Sequence, residues 1–175
     1  MSFLAPGTVV GSRHRAHVWR GALAGLVGGL VAAGAMSLAH KGLTILADSD
    51  GAQPQAQQDD DATVKTADAV LGRLAGRPLT REQKPLAGTL VHYAFGGAVG
   101  ALYGGVAELA PLARTGWGLP FGVAVWLGAH VIAVPALGLA EPPTRRPLSR
   151  EAPELVLHLV YGAVTELARR VLRGP

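Results

Sequence analysis

The sequence predicts an all-α protein: an integral membrane four-helix bundle with a short amphipathic helix in its first loop. Three observations lead there. Residues 21–39, 85–107 and 115–140 contain no Asp, Glu, Lys or Arg. Each run is close to or above the roughly 20 residues a helix needs to cross a hydrocarbon core. Only 16% of the chain is charged, against about 25% in a soluble domain. Many of its 24 glycines lie inside the apolar runs, where they let membrane helices approach closely.

The 175 residues suffice for one domain. The first span is expected near 19–39, behind a basic segment that holds Arg13, Arg15 and Arg20. Small residues near its end would suit a signal peptide. The long basic region before it and the apolar segments after it favour an uncleaved span. Residues 48–62 are acidic, Gln-rich and of low complexity, so disorder is expected there. A surface helix follows over 63–76, with Val64, Ala67, Leu71 and Leu74 on one face. Gly76 and Pro78 end it.

Thr80 and Gln83 form a capping-box pattern that starts the second span, 86–108. The third span is placed at 118–139. The fourth, 153–172, is less apolar, and an interfacial amphipathic helix is the alternative. Pro153 suits a first turn, and Glu166 can pair with Arg170 at i,i+4. The loop before it, 141–153, is Pro-rich and basic and is expected to be stiff and exposed. The N-terminal basic cluster favours both termini on the inner side, which puts the acidic insert outside.

Gly21, Gly25, Gly29 and Ala33 recur every four residues in the first span, as do Gly96, Gly100 and Gly104 in the second. That spacing makes a stripe of small residues on one helix face. Such stripes pack helices together; the alternative is a conduit lined by small residues. Gly162 continues the theme in the fourth span. The echo of "YGGVAELA" in "YGAVTELA" hints at a duplication, although other matches fall in a different register.

The polar residues inside the runs are the candidate site: His92, His130, His158 and Glu166. His92 shares a face with Gly96 and Gly100, and His158 with Gly162 and Glu166. Alternating spans place the three histidines in the same half of the bilayer and Glu166 in the other. Imidazoles at similar depth can bind a metal or relay protons. The plainer reading is hydrogen bonding between helices, because no HxxxH or HExxH pair supplies two ligands from one helix. Pro135, five residues past His130, frees a carbonyl and predicts a kink. Glu108 and His40 are expected at the interface, with Trp19, Trp117 and Tyr93 as anchors. Trp126 lies deeper.

The chain has no cysteine, which excludes disulfides and thiolate metal sites. Its formal net charge of +4 comes from basic residues that flank apolar runs rather than forming a nucleic-acid stripe. No phosphate loop, dinucleotide fingerprint or nucleophile elbow is present. The expectation is therefore no enzyme, no cofactor, no metal and no nucleic acid. The partners expected are the lipid bilayer and further copies of the chain.

Three motifs occur in order: "HYAFGGAVGALYG" (92–104), "GVAVWLGAHVIAVPALGLAEPP" (122–143) and "HLVYG" (158–162). With the opening "RGALAGLVGG", they resemble the YagU-like family of small bacterial inner-membrane proteins. The resemblance covers about 130 residues and omits the acidic insert. It implies a multi-pass protein of the bacterial inner membrane with a structural or stress-related role, acid tolerance having been proposed for a member. It carries over no catalytic residue. The alternative reading is a pore or carrier for protons, ions or a small solute, using the intramembrane His and Glu.

Overall fold

A computed structural model describes residues 8–49, 59–139 and 148–174. The described residues are helical throughout their length, apart from short turns, and contain no strand. Helix α1 runs over Thr8–Ser49, α2 over Asp59–Ala75 and α3 over Gln83–Leu109. A 3₁₀ segment, Pro111–Gly118, leads into α4, Leu119–Val125. The helix widens to π over Trp126–Ala133 and ends in a last α turn, α5, Val134–Ala136. Helix α6 spans Leu148–Arg173.

Three stretches are long and apolar enough to cross a membrane: His17–Leu46, Gln83–Leu109 and Pro111–Ala136. Each overlaps one of the three uncharged runs. Helix α1 extends well beyond the expected 19–39 because no proline interrupts it before Ser49. In its interior Ser37 donates to the carbonyl of Ala33 at 3.0 Å, and Thr44 to that of His40 at 3.0 Å. Those hydroxyls are thus satisfied without water.

Two boundaries differ from the sequence expectation. Helix α2 begins at Asp59, so residues 59–62 are helical rather than part of a disordered insert. A run of acidic residues suits the positive N-terminal end of a helix. Residues 50–58 of that insert lie outside the described residues. Helix α6 begins at Leu148, which puts Pro153 inside the helix instead of in its first turn. The added turn carries Glu151 to His130 on the neighbouring segment, 3.0 Å away. Residues 140–147, most of the Pro-rich loop, lie outside the described residues.

The helix directions follow from which residues meet. Gly21 faces Gly104, Gly25 faces Gly100 and Gly29 faces Gly96, so α1 and α3 are antiparallel. Gly118 meets Gly162, and Gly122 meets the carbonyl of His158, so α4 runs antiparallel to α6. At these contacts backbone lies on backbone. A Cβ on Gly25 would overlap the carbonyl oxygen of Gly100, and one on Gly104 would overlap that of Gly21. Gly118 and Gly122 make the same approach, although the every-fourth-residue reading did not include them.

Helix α2 packs on α3. Ala67 is fully buried, and Val64 lies against Gly88, where a Cβ would sit 3.0 Å from its methyl group. Gly76 ends α2 with a left-handed φ of 65°. Thr80 and Gln83 exchange both capping-box bonds, at 3.0 and 3.4 Å. Asp68 ties the connection down: it accepts from the Leu79 amide at 2.9 Å and pairs with Lys84 at 3.1 Å. The Leu79 amide, then Lys84, hold its carboxyl below the ordinary aspartate range.

Three expected outcomes follow from this packing. Gly25→Ala should cost about 1–3 kcal/mol, because backbone must move to admit the methyl group. Gly42→Ala, with nothing within 4 Å of its Cβ position, should instead be neutral or gain up to about 1 kcal/mol. Unfolding of the two variants in detergent compares them directly. Because the folded Asp68 carboxyl is the stronger acid, its anchoring is complete above the ordinary aspartate range and fades as pH falls below it. Asp68→Asn should speed hydrogen exchange of the Leu79 amide at neutral pH relative to the wild type.

Candidate functional site

Two polar groupings lie among the described helices, at opposite ends. The first is built on the last turns of α6. Spacings of three and four from Glu166 place Arg169 and Arg170 over its carboxylate. Arg169 donates from Nε at 2.7 Å and from Nη2 at 3.0 Å, and Arg170 donates from Nε at 2.6 Å. Across the interface the Tyr103 hydroxyl of α3 lies 2.9 Å from the same carboxylate. It is also 3.2 Å from the carbonyl of Ala113. Phe121 stacks on the Tyr103 ring at 4.1 Å. Glu166 is 0% exposed and Arg169 3%.

A second carboxylate joins at the end of α3. Glu108 accepts from Arg173 Nε at 2.9 Å and Nη2 at 3.1 Å. Arg114 and Arg169 stand at 3.5 and 3.6 Å from it. Arg114 also donates to the carbonyl of Ala107 at 2.6 Å, which fixes the turn after α3. That turn is unusual. Gly116, Trp117 and Gly118 all have positive φ, and Trp117, with φ of 55°, pays the steric cost of a side chain there. The Arg170 guanidinium covers the Trp117 ring at 4.2 Å, a cation–π contact. Arg170 Nη2 also donates to the carbonyl of Arg114 at 3.0 Å.

Four guanidiniums therefore surround two carboxylates. They leave a half-open cleft of about 340 Å³ lined by Glu108, Arg114, Arg169, Arg170, Arg173 and Gly174. With each side chain in its ordinary charge state, the grouping is net positive by two. It can hold an anion.

The second grouping sits where the π-helical stretch meets the start of α6. His130 Nε2 lies 3.0 Å from a Glu151 carboxylate oxygen. The rings of His130 and His158 are 6.0 Å apart between centroids, and Trp126 stacks on His130 at 6.4 Å. His158 Nδ1 is 2.7 Å from the carbonyl of Glu154, in its own helix. The π geometry over Trp126–Ala133 precedes Pro135, which has no amide hydrogen to donate. Pro135 itself sits in the closing turn.

Of the four residues singled out from sequence, the structure brings two together, His130 and His158. His92 turns to α1, with Nε2 3.3 Å from the carbonyl of Ala33. Glu166 lies with the arginines at the far end. No group of three metal-ligating side chains occurs among the described residues. The sequence reading paired Glu166 with Arg170 and took Glu108 for an interfacial residue. It missed Arg169, Tyr103, Arg114, Arg173 and Glu151. The spacing of three from Glu166 could have flagged Arg169; the rest are joined only across helices.

The fold and its apolar surface define a helical membrane protein: three helices have the length and composition to span a bilayer. The chain belongs to a family described as protein of unknown function, DUF1440, whose profile matches residues 78–167. That stretch runs from just before α3 to Leu167, and so contains the α4–α6 seam and the α3 side of the α1–α3 seam. No curated protein and no solved structure matches the chain.

Removing the carboxylate from the first grouping should be severe. Glu166→Ala takes from the buried Arg169 guanidinium its nearest carboxylate and is expected to cost about 3–5 kcal/mol. Tyr103→Phe removes one neutral donor to a carboxylate whose other bonds remain, and should cost about 1–2 kcal/mol. Denaturant unfolding of both variants in the same detergent gives the comparison. Equal losses would show that the tyrosine, not the arginines, secures Glu166.

Proposed function

We propose that this protein is a non-enzymatic, multi-pass protein of the bacterial inner membrane in which α6 is a fourth span, and that its role is structural. One observation carries this reading. Helix α6 is inside out by the standard of water-soluble helices. Its buried residues include Glu166, Thr165 and Arg169, whereas Leu167, Val171 and Leu172 are more than half exposed. Water would select the opposite arrangement. Hydrocarbon selects this one, because ionisable groups there face the bundle interior and pair with one another.

The glycine seams support the same reading. Lipid rewards apolar side chains on the outside as well as water rewards polar ones, so helices gain by close backbone packing. Both seams have it. The order of the three motifs supports kinship with YagU-like proteins, from which the bacterial inner membrane and a stress-related, acid-tolerance role follow. On this reading the partners are the bilayer and further copies of the chain.

The absence of cysteine makes the test clean. In liposomes, single cysteines at Val156 and Leu167 should resist a membrane-impermeant maleimide, and one at Gly174 should react. Rapid labelling at Leu167 would refute a spanning α6.

A second reading, proton or ion passage, is favoured by the approach of His130 to both Glu151 and His158. It requires that His130→Gln abolish a pH-driven flux in liposomes while assembly persists. The structural reading requires no flux in either protein.

A further inference from the structure

From the arginine cleft we infer a binding site for the phosphate group of an anionic phospholipid. The inference rests on the spanning of α6, which sets the cleft at the membrane surface. Three properties of the cleft point to this ligand.

First, charge. Among the described residues, the carboxylates that Arg114, Arg169, Arg170 and Arg173 meet are Glu108 and Glu166, an excess of two positive charges for an outside anion. The carboxylates cannot supply that balance, since both are already committed to the arginines. A cleft with excess charge and low-dielectric walls concentrates counter-ions.

Second, donors. A guanidinium carries five N–H groups. Among the described residues, the Nη1 groups of Arg114, Arg170 and Arg173 make no hydrogen bond, while their Nε or Nη2 atoms are held by Glu108, Glu166 and backbone carbonyls. One edge of each fork is anchored and the other is left over. Anchored guanidiniums lose little freedom on binding, and the planar fork matches phosphate oxygens. The volume of about 340 Å³ lies within the range of small-ligand sites.

Third, surroundings. The turns that supply the arginines also carry Leu109, Leu112, Val171 and Leu172, each more than half exposed. A free phosphate has no use for them. A phospholipid would set its phosphate in the cleft and its acyl chains along these side chains. Trp117, 62% exposed on the same turn as Arg114, belongs at the headgroup level. Basic pockets between membrane helices recognise anionic headgroups in this way.

The test uses the full-length protein in nanodiscs of phosphatidylcholine with a minor share of phosphatidylglycerol. Native mass spectrometry counts the lipids retained on ejection. The wild type should retain phosphatidylglycerol in marked excess over its share. Arg114→Gln should reduce the excess about fivefold, since each surface arginine is worth about 1 kcal/mol towards anionic lipid.

Arg114 also supports the turn after α3, so a second variant guards against misfolding. Gly174→Asp adds a carboxylate at the cleft, where a Cβ meets nothing within 4 Å; the φ of 71° strains any side chain, and Asp is among those that visit it. It should reduce the excess with only a small fall in Tm, since the strain is confined to the end of α6. Inorganic phosphate at millimolar concentration should not displace the lipid. Displacement by inorganic phosphate, with no preference for phosphatidylglycerol, would overturn the lipid and point to a soluble phosphate. Equal retention in wild type and both variants would overturn the site altogether. A protein that stays in the disc yet shows no preference refutes only this inference; one that leaves the disc refutes the spanning reading.

Discussion

Glu166 has no surface in contact with solvent, and a carboxylate in that position must be compensated by the protein itself. The cost of stripping it of water is several kcal/mol even after relaxation. Two arginines from its own helix and a tyrosine from α3 meet that demand. Each compensating group then needs support of its own. Arg169 approaches Glu108, Arg170 lies on Trp117, and Tyr103 lies against Phe121. The end of α3, the 3₁₀ segment, the start of α4 and the end of α6 are held in one register through this single carboxylate.

The glycines make that register reachable. A carboxylate buried between helices is satisfied only if the helices stand close enough for side chains of ordinary length to meet. Gly118 and Gly162 let α4 and α6 touch backbone to backbone one turn from Glu166. On the other side Gly21 lies against Gly104 and the Glu108 side chain. Close packing and charge pairing thus act at the same end of the molecule. A Cβ at the seam would move apart the partners that keep the charges neutralised.

The opposite end has a looser design. There the third helical segment changes from α to π, and a π-helical turn re-aims side chains relative to an α-helix. The change brings His130 to Glu151 and beside His158. Few side chains in this segment are buried, in contrast with the glycine seams. The two ends of one helical segment are therefore held by different physics: close backbone contact near Gly118, and side-chain hydrogen bonding near His130.

The sequence alone determined what depends on composition and on neighbours along one helix. The uncharged runs announced the three long apolar helices, because length and lack of charge are read directly along the chain. The Thr80–Gln83 cap, the Gly76 stop and the Glu166–Arg170 pair were legible for the same reason: each is closed within four residues. The extra turn of α6 was not, since it is justified by a residue on another segment. Nor was the π stretch, nor the gathering of Glu108, Arg114, Arg169 and Arg173 around one cleft. Sequence periodicity assigned faces to His92 and His158, and the rise per residue put both at the depth of His130, but depth carries no angle. Only the packing of helices against one another decided that His130 meets Glu151, that His92 turns to the carbonyl of Ala33, and that four arginines share two carboxylates.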